Sequence, residues 1–164
     1  MIKSDVFKQS LLTLLPEVFG VADALHGYLL DNGQAGLLGT LDQVDAAAAS
    51  ARLRPGNETV ASHTNHVLFI VNLHNAFERG ERPAADWAGS WTNQAVDEAA
   101  WAALRADLRA AYTTVVSRLQ QRQEWPDDGV GAYIMLVAHC AYHLGEIKQI
   151  LTSLKTYPAS KPVQ

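Results

Sequence analysis

Apolar side chains return every three or four residues along most of the chain, and no stretch beyond a few residues shows the Val, Ile and Thr alternation that a strand needs. This periodicity restricts the chain to an all-α fold. It is clearest in the last long segment, about Gly131 to Leu154, where Leu136, His143 and Ile150 lie seven residues apart, as do Cys140, Ile147 and Leu154. Side chains at that spacing share the inward face of a helix, so His143 occupies a position reserved for the interior.

The same rule places the other elements. Ser4 to Leu15 reads as a helix with Val6, Leu11, Leu14 and Leu15 inward, stopped at Pro16, which lacks an N–H and clashes with the preceding turn. Glycines at 20, 27, 33 and 36 weaken helix formation up to Leu37, and a helix from about Ala35 to Ala51 follows, ending before Pro55-Gly56-Asn57. Thr59 is the expected N-cap of a helix carrying Val60, Val67, Ile70, Val71 and Phe77, closed by Arg79-Gly80. A connection from Glu81 to Asn93 holds Trp87 and Trp91, whose apolar area favours a loop folded back onto the protein. A further helix spans about Val96 to Gln123, with Trp101, Leu104, Leu108, Val115 and Leu119 as its seam, and Asp127 or Asp128 opens the last one. Four principal helices and a long crossing connection imply a four-helix bundle over about residues 37–154, with residues 1–36 as an N-terminal helical extension of a single domain, 1–164.

Length and charge narrow the function. A chain of 164 residues buries enough surface for a core without disulfide support, and the lone Cys140 makes no internal bridge, which points to the cytoplasm. Thirteen Lys plus Arg against seventeen Asp plus Glu give a net charge of -4, and Arg52, Arg54, Arg79 and Arg82 are scattered near loops, so a nucleic-acid partner is not expected. Neither a membrane span nor a secretory leader is legible, and the expectation is a soluble, unprocessed protein. Nucleophile-elbow, phosphate-loop and dinucleotide-binding motifs are missing.

The chemistry lies in the histidines. His139 and His143 are four residues apart, which puts two imidazoles on one helix face about 6 Å apart at Cβ, within reach of one cation. A pair of hydrogen-bonded core histidines would share that spacing, so a third ligand is what separates the two readings. The helix after Thr59 offers His63, His66 and His74, all on its apolar half, with His66 nearest the edge, and the helical wheel does not choose among them.

The run Thr59-Val60-Ala61-Ser62-His63-Thr64-Asn65-His66, followed late in the chain by His139-Cys140-Ala141-Tyr142-His143-Leu144-Gly145-Glu146-Ile147, resembles the DinB/YfiT-like superfamily of metal-dependent four-helix bundles. The resemblance covers about Leu37 to Leu154. It implies a divalent-metal site with His66, His139 and His143 as ligands, leaving His63 as a neighbouring or core histidine and the alternative ligand. Many members carry Gln where this chain has Glu146, a carboxylate able to orient a ligand, approach the metal or face solvent. Cys140 is expected to fill the core, Tyr142 to line a pocket or pack, and Asp86, Trp87 and Trp91 to form a packed loop or lid. His26 and His74 are read as structural or surface residues.

Three neutral imidazoles leave a dipositive ion uncompensated with a coordination position open, the condition for Lewis-acid work on water or a thiol. Zn2+ is the first choice, with Ni2+, Mn2+ and Fe2+ also suited to imidazole. Relatives in the superfamily include thiol-dependent S-transferases and a mycothiol-dependent isomerase, so the resemblance implies an enzyme activating a low-molecular-weight thiol or water against a small electrophile, as a transferase or hydrolase. The alternatives are a non-catalytic metal-binding bundle acting as a stress-related or dimeric interaction protein, and a metal-free bundle. Relatives also imply a homodimer, for which Trp87, Trp91 and Trp125 are the apolar candidates.

Overall fold

The computed structural model describes residues 4–20, 27–31, 33–125 and 129–156, and these are helical with no strand among them. The elements are α1 (Ser4–Phe19), α2 (Leu37–Leu41), α3 (Ala46–Ser50), α4 (Val60–Glu78), a 3-10 turn (Gly89–Trp91), α5 (Glu98–Gln121) and α6 (Gly129–Thr156). The four long helices enclose one core: α4 packs on α5 and α6, and α1 closes the ring by packing on the same two. Among the described residues no helix is long and apolar enough to cross a membrane.

Three expectations about the first fifty residues are corrected. Helix α1 runs through Pro16 to Phe19, and it supplies Leu11, Leu15, Val18 and Phe19 to the core. An interior proline costs a helix about 3 kcal/mol. Burying Val18 and Phe19 beyond it contributes roughly 1.5–3 kcal/mol each, and the Phe19 ring also stacks on Tyr112 at 4.6 Å, so packing wins. Val6, expected inward, is 56% exposed. The buried carboxylate of Glu17 accepts backbone N–H groups from Tyr28, Leu29 and Leu30, which ties the chain's return to the end of α1.

The expected helix from Ala35 to Ala51 is instead two short ones. Asp45 interrupts it by capping α3, its carboxylate accepting from the Ala48 N–H at 2.7 Å, an alternative partner that helix interiors do not offer. The carbonyl of Val44, released from the helix, accepts from the indole N–H of Trp101 at 2.6 Å in the core. Trp101→Phe keeps the apolar bulk but leaves that carbonyl without a donor. A loss of about 1–3 kcal/mol in chemical denaturation is expected.

The remaining ends agree with the reading of the sequence to within two residues. Thr59 caps α4 in a reciprocal capping box with Ser62. Gly80, at φ +79°, closes the helix: its N–H donates to the Phe77 carbonyl and that of Glu81 to the Ala76 carbonyl, an arrangement that needs a left-handed residue. Asp97 caps α5 through the Ala100 N–H. The expected cap at Asp127 or Asp128 lies outside the described residues, as does His26.

Candidate metal centre

Helices α4 and α6 face each other, and their histidines meet in the interface. His66 Nε2 lies 3.1 Å from His139 Nε2, and His143 Nε2 lies 3.0 Å from the same atom. His66, His139 and His143 thus offer one nitrogen each, all within 4.8 Å of one another, a group able to hold a metal ion. His66 and His143 are buried and His139 is half-buried. The two α6 rings come together through their four-residue spacing, whereas His66 is added by the packing of α4 against α6. His74 takes no part: it sits two turns along α4, edge-on to Tyr133 at 4.5 Å.

The rings are held from outside. His66 Nδ1 is 2.7 Å from Ser90 Oγ, and the Ser90 hydroxyl donates its only proton to the Trp87 carbonyl at 2.6 Å. Ser90 Oγ therefore accepts, His66 carries its proton on Nδ1, and its Nε2 lone pair points at the other two rings. His143 Nδ1 is likewise engaged, 3.0 Å from Nδ1 of the buried His63. Outer partners of this kind fix ring orientation and tautomer in metal sites.

The connection between α4 and α5 covers the group as a packed loop. Its 3-10 turn is anchored by Asn65 on the Ser90 carbonyl and by Thr59 on that of Gln94. A Cβ at Gly89 would crowd the Asp86 carboxylate that accepts the Gly89 N–H, a side chain free to shift aside. The turn lays Trp91 flat on His66, centroids 4.1 Å apart, and edge-on to His63 and His143. Trp91 and Trp125 are half-buried, leaving Trp87, 53% exposed, as the outward one of the three tryptophans expected at a surface contact. Tyr142 is 62% exposed with its ring beside His143.

Burial keeps these rings neutral. It lowers His66 to about 4 and His143 to about 3, with mutual repulsion among the rings adding to both, and it lowers His139 as well. His63 is also lowered by burial, against the pull of Glu146 and Glu58. Glu146 is half-buried and acts on His63 rather than on the trio's nitrogens. Cys140 is fully buried in the core, where desolvation pushes its thiol far above the ordinary range and leaves it inert as a nucleophile.

Sequence reasoning missed Ser90 and the role of Trp91. Nothing in Gly89-Ser90-Trp91 marks a histidine's partner, since the contact spans 24 residues of chain. A surface cleft of about 650 Å³ lies along α1 beside Val6, Leu14 and Tyr28, and none of the described histidines lines it. No family model, curated protein or solved structure matches this chain.

Proposed function

We propose that the protein is a divalent-metal-binding four-helix bundle of the DinB kind, an enzyme that activates a low-molecular-weight thiol or water against a small electrophile. The observation that carries this reading is the convergence of three Nε2 atoms on one point, with the lone pair of His66 turned inward by Ser90. The donor set fits the ion: three neutral imidazoles suit Zn2+ first, and Ni2+, Fe2+ and Mn2+ as well. A cation held there would supply Lewis acidity, lowering the pKa of a thiol or water at the open position.

The chain's own residues do the rest. His66, His139 and His143 would hold the ion, and Trp91 and the Ser90 turn shield it from solvent on one side. On this reading an incoming molecule approaches on the side of the exposed Tyr142, whose ring lies beside His143. The nucleophile has to come from outside, because Cys140, the sole thiol, is sealed in the core.

Elemental analysis of protein purified without chelator, then supplemented with zinc and nickel, is expected to give one metal ion per chain. Thiol and electrophile panels are expected to show turnover that a chelator removes and metal restores. Protein that takes up no metal would end this reading. A second reading, a metal-binding homodimer without turnover, is favoured by Ile134, Met135 and Tyr142 standing exposed on α6. Metal uptake and a sedimenting dimer with no reaction across the panel would select it.

A further inference from the structure

Among the described residues His63 is the one buried histidine near the centre whose ring nitrogens do not join it, and its Nδ1 lies 3.0 Å from Nδ1 of His143. Two ring nitrogens at that distance share one proton, so one ring donates and the other accepts. The direction decides whether His143 can serve as a ligand.

Suppose first that His63 donates. His143 then accepts at Nδ1 and carries its own proton on Nε2, aimed at the point where the three nitrogens meet. His139 accepts that proton, and its Nε2 lone pair faces the bare Nε2 of His66 at 3.1 Å with no hydrogen between them. Opposed lone pairs at this separation repel.

In the other direction, His143 donates from Nδ1 and its Nε2 is bare, as that of His66 already is. A single proton on His139 Nε2 then serves both neighbours, at 3.0 and 3.1 Å, and all three Nε2 atoms are satisfied. This arrangement requires His63 to accept at Nδ1 and carry its proton on Nε2. Glu58, held by the Ser62 hydroxyl and the Gln94 amide at the start of α4, and Glu146 place negative charge near the His63 ring, which offsets part of its desolvation without choosing its tautomer.

We propose that His63 is a positioning residue, the acceptor that holds His143 in the tautomer whose Nε2 lone pair faces the centre. It acts through His143 and touches neither ion nor substrate. The proposal rests on the metal-binding reading above for its consequence, although not for its geometry. It also gives His63 the part toward His143 that Ser90 plays toward His66, one outer partner from each of two separate elements.

Long-range proton–nitrogen correlation spectra of the metal-free, 15N-histidine-labelled protein near pH 7 test it directly. His143 is expected as the Nδ1–H tautomer, and His63→Leu is expected to shift it toward Nε2–H. In chelator competition, His63→Leu is expected to bind Zn2+ about 10–100-fold more weakly, the usual cost of losing an outer partner. His63→Asn, whose side-chain carbonyl can stand in for the Nδ1 acceptor, is expected to recover most of that loss. An Nε2–H tautomer of His143 in the wild type would overturn the proposal, and so would equal weakening by Leu and Asn, which would mean packing alone. A wild type that takes up no zinc would sink the proposed function, while the tautomer, read without metal, is decided independently.

Discussion

His139→Ala is expected to abolish metal retention, with affinity falling by more than the roughly 10–100-fold that loss of an outer partner costs. His139 is the hub of the group, because its Nε2 is the atom within 3.0 Å of His143 and 3.1 Å of His66. Its removal leaves two nitrogens from separate helices, a set that rarely outcompetes a chelator. The ring is half-buried and packs at the edge of the core, so the fold is expected to lose no more than about 1 kcal/mol. Equilibrium dialysis with Zn2+ beside a thermal melt separates the two effects. An Ala variant that holds zinc as tightly as the wild type would remove the centre from consideration.

Acid is expected to destabilise the metal-free protein steeply between pH 6.5 and about 4. His74 is the cleanest contributor: it is buried, neither ring nitrogen makes a hydrogen bond, and burial lowers it from 6.5 to about 4 against the pull of Glu78. A lowered base means that the unfolded chain takes up a proton before the native state does. The stability is therefore fully present above pH 6.5 and is lost as pH falls through the window to about 4, roughly 3 kcal/mol for this residue. His66 and His143, lowered to about 4 and about 3, add to the loss in the same direction. Urea denaturation at pH 7 and at pH 4.5 measures it, and in His74→Leu the proton uptake on unfolding is expected to fall by about one. An unchanged uptake would mean that His74 already titrates in the native state.

Helix content was legible from local spacing because a helix is closed by bonds four residues apart, and caps such as Thr59 and Asp97 act within three. The interior placement of His143 was legible for the same reason: its apolar neighbours at seven-residue spacing share its face. The expected break at Pro16 failed because a contact distant in sequence outweighed a local preference, whereas the expected continuity through Asp45 failed at a local cap that a distant contact reinforces. Phe19 against Tyr112 carried α1 past its proline. Trp101, donating to the Val44 carbonyl, supports the interruption between α2 and α3.

The centre divides in the same way. By itself the sequence determined that His139 and His143 lie side by side, since one helix turn relates them, and that three histidines occupy the apolar half of α4. Periodicity left open which of those three joins the pair and only a resemblance implied His66; the tertiary structure brings His66 there, through the rotation and depth at which α4 meets α6. It also supplied Ser90, Trp91 and His63 as the surroundings of the rings, through contacts 24 to 80 residues apart in the chain. Periodicity is a property of one helix, whereas a shared point between two helices exists only once side chains from both have packed.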